Sequence, residues 1–322
     1  MRTSQLFSLF ATSAVALAAC DRRHEPAADP QPASLGAASG GTGAAGTGAS
    51  AVASAAPACK LAPLPLRIPM PHRAVAIGDL HGDLDAARAA LRAAGAIDAR
   101  DQWVGGDLVV IQTGDVLDRG DGESAILALL DRLAADARAH GGALIQLLGN
   151  HELMNAAADF RYVTPGGMRD FDGDRARELG PGGVWSKRLA AHDAVAIVGD
   201  TVLSHAGVLP AWAAQLDAMN LDARCWLAGD ITGPAAALTA DDSPVWTRAY
   251  GGDRVDCAEL DQALAALGAK RMVVAHTVQP GGINARCDDK LWRIDTGMSS
   301  AYGGPIQVLE LGNPPKVIAG AR

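Results

Sequence analysis

An apolar run followed directly by a polar, glycine-flanked loop is the feature that most constrains this chain. Leu108–Ile111 is such a run, and the loop Gly114–Gly120 after it carries two aspartates and an arginine. Short apolar runs are typical of buried strands, and the loops that leave them often carry function. The same order recurs at Ala74–Ile77 and Ala143–Leu148, with helical periodicity between the runs, as in Glu123–Ala139. This alternation predicts parallel strands with helices on the sheet faces, an α/β architecture.

Later strands and two insertions complete the predicted order. Val195–Val198 and Thr201–Ser204 are separated by a Gly-Asp pair and predict a β-hairpin. Further strands are predicted over residues 272–275, 291–294, 306–311 and 317–318, and a helix over residues 262–268. Asp159–Ala191 and Leu209–Leu260 show little periodicity, so we expect irregular insertions, the first of which would lie over a site.

Polar side chains follow the predicted strands at the points where they end. These residues are Asp79 and His81, Asp115, Asn150 with His151, His205, and His276. In open α/β sheets, ligands bind in the crevice beyond the carboxyl ends of the strands. Oxygen and imidazole donors without a thiolate suit Mn, Fe or Zn better than Ca or Mg alone. The sequence therefore predicts a site for one or two divalent metal ions.

The strand-end motifs resemble those of the calcineurin-like metallophosphoesterases, in the order and spacing of the phosphoprotein phosphatase branch. The motifs are Gly78–Gly82, Gly114–Gly120, Gly149–Glu152, His205–Gly207 and His276. Three further stretches are similar to the bacterial Shewanella-like protein phosphatases: Tyr162–Pro165, Pro244–Arg248 and Ile294–Ser299. The resemblance covers residues 74–311 and implies an α/β (α+β) fold. That fold is a β-sandwich flanked by helices, with a dimetal site at the strand ends.

The resemblance also implies a ligand set for two divalent metal ions, with Mn or Fe favoured and Zn as an alternative. The first metal would be bound by Asp79 and His81. Asp115 would bridge the two metals, and the second metal would be completed by Asn150, His205 and His276. Two metal ions that share a bridging ligand can hold a hydroxide between them for in-line attack on phosphorus.

Four more residues receive roles from the resemblance. His151 would be the general acid for the leaving oxygen, oriented by Asp118, while Arg119 and Arg248 would bind phosphate oxygens through their planar guanidinium groups. Each has a simpler alternative. Asp118 could cap the following helix, Arg119 could pair with Asp121 or Glu123, and Arg248 could lie in a packed surface turn.

The function implied is a metal-dependent phosphomonoester hydrolase, acting on phosphorylated Ser, Thr or Tyr of proteins. The alternatives are hydrolysis of small phosphate esters or dinucleoside polyphosphates, and a non-catalytic metal-binding lipoprotein. A net charge of −8 and the lack of a basic stripe argue against a nucleic-acid partner.

The N-terminus has the composition of a targeting segment. Residues 1–19 are expected to be a signal peptide, and Leu17–Cys20 resembles the bacterial lipoprotein signal, in which Cys20 is lipidated. An ordinary secretory signal is the alternative. Residues 20–59 are rich in Ala, Gly, Ser and Pro and predict a disordered tether, leaving residues 60–322 as a single domain. We therefore expect an exported protein, lipid-anchored to a membrane at the periplasmic or cell-envelope face.

Four cysteines remain after Cys20, and an even number outside the cytoplasm permits disulfides. We expect at least one, with Cys225–Cys257 as the favoured pair because these two residues flank one insertion.

Overall fold

The computed structural model describes residues 59–233 and 236–322. The predicted signal peptide, the lipidation site Cys20 and all of the predicted tether except Cys59 lie outside the described residues. None of the helices in the described part of the chain is long and apolar enough to cross a membrane.

The described chain alternates short strands with helices. The strands are β1 (Arg67–Ile68), β2 (Ala74–Ile77), β3 (Val109–Gln112), β4 (Ala143–Gln146), β5 (Val195–Val198), β6 (Thr201–Ser204), β7 (Arg271–Val274), β8 (Asn284–Arg286), β9 (Leu291–Arg293), β10 (Gln307–Glu310) and β11 (Lys316–Ala319). The α-helices are α1 (Leu84–Ala93), α2 (Glu123–Ala139), α3 (Asn150–Ala156), α4 (Arg175–Leu179), α5 (Val184–Leu189), α6 (Leu216–Ala228), α7 (Ala236–Thr239) and α8 (Cys257–Leu267).

The strands form two sheets. One has the order β11-β10-β2-β3-β4, and the other has the order β1-β5-β6-β7-β9-β8. In the first sheet β2, β3 and β4 are parallel and in register, with Ile77 opposite Gln112 and Gln112 opposite Gln146. In the second sheet β6, β7 and β9 are parallel. Because parallel strands end at the same edge of a sheet, the polar loops that follow these strands lie side by side at that edge.

Side chains of alternate residues in the strands enter two different cores. Ala74 and Ala76 of β2 pack in a cluster with Ala196 and Val198 of β5, between the two sheets. Their neighbours in β2, Val75 and Ile77, belong to the larger cluster that includes the helices. This period-two division is the pattern of a sandwich whose outer faces are covered by helices. It confirms the predicted α/β (α+β) sandwich.

The two insertions contain more regular structure than expected. Residues 159–191 include α4 and α5, and residues 209–260 include the 13-residue helix α6. The prediction that these stretches are irregular is therefore wrong. Helix α6 buries Leu216, Met219, Ala223 and Leu227, a spacing of three to four residues that marks an apolar helix face.

The disulfides differ from the predicted pair. The bonds are Cys59–Cys225 and Cys257–Cys287, so the prediction of Cys225–Cys257 is wrong. Cys225 lies on α6, which holds the segment before β1: the Arg224 guanidinium donates to the Ala62 carbonyl over 3.0 Å. Cys257 begins α8, which faces the turn between β8 and β9. Cys225 and Cys257 are therefore not bonded to each other, although they flank the same insertion.

Candidate active site and metal centre

The structure brings all six predicted metal ligands to one edge of the sandwich. Asp79 and His81 follow β2, Asp115 follows β3, and Asn150 begins the helix after β4. His205 and His276 follow β6 and β7 of the other sheet. All six side chains are buried. The parallel strands of both sheets therefore end around one cluster, as the sequence predicts.

Asp115 lies at the centre of this cluster. Its Oδ2 atom is 3.2 Å from His205 Nε2 and 3.8 Å from His81 Nε2. It belongs to two groups that have metal-ligand spacing, one with His81 and His151 and one with His205 and His276. A carboxylate shared by two such groups has the position expected of a bridging ligand.

The remaining predicted ligands surround these two groups. Asp79 lies 3.9 Å from His81 Nε2 through one oxygen and 3.8 Å from His205 Nδ1 through the other. Asn150 Oδ1 is 2.8 Å from His205 Nε2, and that nitrogen is 3.1 Å from His276 Nδ1. The donor atoms are thus close enough to share cations.

Backbone carbonyls orient two of the imidazoles. His81 Nδ1 is 3.0 Å from the Leu117 carbonyl, and His205 Nδ1 is 3.1 Å from the Thr113 carbonyl. Since a carbonyl only accepts, a proton on each Nδ1 would be hydrogen-bonded there, and each Nε2 would be the nitrogen that binds a metal. Burial and the neighbouring His151 lower the pKa of His81 to about 4, which keeps its imidazole neutral and able to bind a metal.

The electrostatics of the site fit a divalent cation. Burial, with Asp295 and Asp115 nearby, raises the pKa of Asp79 well above its usual range, and Asp79 Oδ1 is buried without a hydrogen bond. Burial also acts to raise the pKa of Asp115, but His205, His151 and His81 outweigh it and hold that pKa well below its usual range. A bound cation would supply the missing counter-charge for Asp79 and use its unpaired oxygen.

Two glycines allow the loops after β3 and β4 to pack together. A Cβ atom at Gly149 would lie 2.1 Å from Asp115 Oδ1, and one at Gly114 would lie 2.4 Å from the Gly149 nitrogen. Gly114 also has a φ of +94°, which side-chain-bearing residues rarely adopt. The glycines of these two motifs are therefore required by the close approach of the two loops at the Asp115 carboxylate.

Glu152 holds the same two loops from the other side, a role the sequence reasoning missed. Its carboxylate accepts from the backbone nitrogens of Asp115 (2.8 Å), Val116 (2.9 Å) and Leu117 (3.2 Å). It also accepts from Gly149 at the start of its own helix (2.7 Å). Its place in the Gly149–Glu152 motif was the available signal, but the partners are 35 to 37 residues away in the Asp115 loop.

His151 and Asp118 form a buried pair beside the cluster of candidate metal ligands. His151 Nδ1 donates to Asp118 Oδ2 over 2.5 Å, and His151 Nε2 lies 3.8 Å from Asp115 Oδ2. The imidazole therefore faces the centre with the nitrogen that Asp118 does not use. The alternative that Asp118 caps the next helix is wrong, because Gly122 is the N-cap of α2. The other oxygen of Asp118 accepts from Asn155 and Arg175, two residues that the sequence reasoning did not assign.

Arg119 lies between two tyrosine rings at the edge of the site. Its guanidinium carbon is 4.5 Å from the ring centre of Tyr162 and 5.2 Å from that of Tyr302. Its backbone nitrogen donates to the Tyr162 carbonyl over 3.1 Å. The Tyr162 ring is 5.2 Å from His151, and the Tyr302 ring is 5.6 Å from His81. Arg119 is thus fixed close to both the imidazole pair and the first metal group.

Arg248 lies on the side of the second metal group. Its guanidinium donates to Thr277 Oγ1 over 3.2 Å, and Thr277 directly follows His276. Trp246, two residues earlier, packs edge-on to the His276 ring at 6.3 Å. The two predicted phosphate-binding arginines therefore lie in different loops, Arg119 in the loop after β3 and Arg248 in the insertion between β6 and β7.

Comparison with known proteins agrees with this geometry. The family model for calcineurin-like phosphoesterases matches residues 72–280, and the chain belongs to that family. Within it, the chain is similar to the Shewanella-like protein phosphatases. Shewanella-like protein phosphatase 2 of Arabidopsis thaliana is 38% identical, covering 77% of each chain. Shewanella-like protein phosphatase 1 of Plasmodium berghei is 30% identical, covering 72% of this chain and 69% of that protein.

A solved structure shares the fold. The cold-active protein-tyrosine phosphatase of a psychrophilic Shewanella species superposes with a TM-score of 0.68 at 24% identity, covering 79% of this chain and 82% of that one. The chain is accordingly a metallophosphatase, a phosphoric monoester hydrolase, and its donor atoms indicate divalent metals. The predicted family, fold and enzyme class are confirmed.

Proposed function

We propose that this protein is a dimetal protein phosphatase that removes phosphate from Ser, Thr or Tyr side chains. The observation that carries the proposal is the Asp115 carboxylate, which is shared between two ligand groups and lies beside the His151–Asp118 pair. The names of the relatives support a protein substrate, since they are described as protein phosphatases and as a protein-tyrosine phosphatase.

The proposed ligand assignment follows the strand ends. Asp79 and His81 would hold the first metal and Asp115 would bridge, while Asn150, His205 and His276 would complete the second. When bound, the metals would supply Lewis acidity, which makes hydroxide available near neutral pH and neutralises phosphate charge. We favour Mn or Fe for this oxygen and imidazole set, with Zn as the alternative.

The chain's own residues would then bind the phosphoryl group and deliver a proton. Arg119 and Arg248 would bind phosphate oxygens and offset the negative field of the buried carboxylates. As the bond from phosphorus to the leaving oxygen breaks, that oxygen would take a proton from Nε2 of His151. Asp118 would keep the imidazole aligned through Nδ1.

We further propose that the protein is exported and lipid-anchored through Cys20. The Leu17–Cys20 motif supports this assignment, and so do the two disulfides, because such bonds persist in oxidising compartments. Incorporation of labelled palmitate in the bacterial host should be lost in Cys20→Ala. Equal labelling of the two proteins would contradict the anchor.

The activity is tested by phosphate release from Mn-loaded protein that starts at residue 21, so that Cys59 can still pair with Cys225. A phosphotyrosine peptide, a phosphoserine peptide and a dinucleoside tetraphosphate serve as parallel substrates, with Asp115→Asn as the blank. We expect release from the peptides. Release from the dinucleotide alone would move the function to nucleotide hydrolysis. No release from any substrate, with metal bound, would overturn the enzymatic proposal.

A further inference from the structure

Arg175 is a fully buried arginine that comes from the first insertion. It begins α4, and its side chain has no solvent exposure. Burying a guanidinium is costly unless its donors are paired, and here they are. Its Nε donates to Asn155 Oδ1 (2.7 Å), and its terminal nitrogens donate to Glu123, to the Gly167 carbonyl (3.0 Å) and to Asp118 Oδ1 (3.0 Å).

These partners surround the proposed general acid. Asp118 accepts from Arg175 and from Asn155 Nδ2 (2.8 Å) through Oδ1, so Oδ2 is left to accept from His151 Nδ1. Asn155 Nδ2 also donates to the His151 carbonyl over 2.9 Å. Arg175 therefore contacts Asp118 and Asn155, two of the residues that hydrogen-bond to His151, and it fixes the carboxylate plane that sets the direction of the imidazole.

Glu123 explains why an arginine is needed. This second buried carboxylate accepts from the Asp118 backbone nitrogen and forms two hydrogen bonds with the Arg175 guanidinium. Burial raises the pKa of Glu123, an effect that the Arg175 contact opposes. A guanidinium has five N–H donors, enough for the five hydrogen bonds to Glu123, Asp118, Asn155 and Gly167, whereas an ammonium group has only three.

A purely structural crosslink would be a simpler account of this residue. Arg175 does join α4 to α2 through Glu123, and the insertion is also held by Asp170, which accepts from the Ser124 backbone nitrogen over 2.9 Å. The contact with Asp118 is not needed for this link between α4 and α2, because Glu123 already provides the link. The Asp118 contact instead makes the orientation of the His151 imidazole depend on the position of the insertion.

We infer that Arg175 is a positioning residue for His151, acting through Asp118. The inference rests on the proposed function, in which His151 gives a proton to the leaving oxygen. It makes Arg175 of the first insertion part of the arrangement that aligns the general acid. The insertion must be folded for the general acid to be aligned.

Leaving-group dependence separates positioning from stability. The phenolate of phenyl phosphate leaves poorly without a proton, whereas p-nitrophenolate leaves well. A misaligned general acid should slow the first reaction more than the second. We expect Arg175→Met to lower kcat on phenyl phosphate about 10- to 100-fold and on p-nitrophenyl phosphate less than about threefold. Arg175→Lys should lie between Arg175→Met and wild type, because charge is kept and the fork is lost.

The control is Arg177→Met on the same helix. Its side chain is 70% exposed and pairs with Glu178 and Asp174, which form no hydrogen bond with Asp118 or His151, so both substrates should be turned over at the wild-type rate. Metal content and thermal unfolding are measured for every variant. If Arg175→Met does not fold, Arg175→Lys provides the same comparison.

A double-mutant cycle tests whether Arg175 acts through His151. In a His151→Asn background, Arg175→Met should cause no further selective loss on phenyl phosphate, since the residue it positions is gone. Equal losses on both substrates, or a full additional loss in the His151→Asn background, would overturn the inference. Failure of the proposed function would be seen first and separately: wild type and His151→Asn would then show the same leaving-group dependence.

Discussion

Gly149→Ala should slow the enzyme strongly through a single added methyl group. The new Cβ would lie 2.1 Å from Asp115 Oδ1, whereas real Cβ contacts are essentially never below 3.0 Å, so the two loops must separate by about 0.9 Å. Gly149 has a φ of −99°, so alanine brings no backbone strain of its own. The perturbation is therefore purely a displacement of the proposed bridging carboxylate.

A displacement of about 1 Å at reacting groups costs on the order of 10²-fold in rate. We expect kcat/KM on p-nitrophenyl phosphate to fall by about that factor, or about 2.7 kcal/mol of transition-state stabilisation. Metal content, measured by elemental analysis after dialysis, should fall in parallel because Asp115 lies in both ligand groups.

Gly281→Ala is the matched control, since a Cβ there meets nothing within 4 Å and its φ is not in the left-handed range. It should retain full activity and full metal content. Wild-type kcat/KM in Gly149→Ala, with the metal bound, would contradict the prediction, because the close packing of these two loops would then not determine the position of the Asp115 carboxylate.

Three further predictions concern the same cluster. Asp115→Asn should abolish turnover by removing the shared carboxylate, and near-normal phosphate release would refute the dimetal assignment. Glu152→Gln would turn an amide NH₂ toward backbone donors, so we expect a loss of about 2 kcal/mol in urea unfolding, and an unchanged midpoint would refute this role. Burial raises the pKa of Asp295 to about 6. In metal-free protein the protonated Asp295 carboxyl therefore stabilises the folded state below about pH 4, and this contribution is lost as the pH rises through 6. Metal-free Asp295→Asn should therefore become more stable than metal-free wild type by about 2–3 kcal/mol between pH 4.5 and 7.5, and parallel pH curves for urea unfolding would contradict this.

The local parts of this structure could be predicted from the sequence. Strands β5 and β6 and helix α2 have the predicted bounds, because their apolar periodicity is strong and their ends carry turn residues. The strand-end ligands also converge as expected, because the parallel order of the strands leaves one edge for them to meet. Helix α6 was missed because further apolar residues between its buried positions, such as Leu221, obscure the three-to-four-residue spacing in the sequence.

The partners of residues distant in sequence could not be predicted in the same way. Arg175 meets Asp118 across 57 residues, and Cys59 meets Cys225 across 166. No local periodicity encodes which of several charged or sulfur-bearing side chains will be neighbours after folding. The sequence therefore predicted the clustering of the candidate metal ligands, which follow strands, better than a distant partnership such as that of Arg175, which comes from an insertion.

The left-handed backbone of the site has a consequence for heat inactivation. His81, Asp115, Asp118, Arg119 and His276 all have φ values between +43° and +68°. Such conformations cost about 1–3 kcal/mol each and persist only where the surrounding fold enforces them. Their sum is comparable to the whole stability of an ordinary domain. On warming, these loops should relax before the sandwich melts, so activity would disappear at a lower temperature than secondary structure, and cooling would restore it.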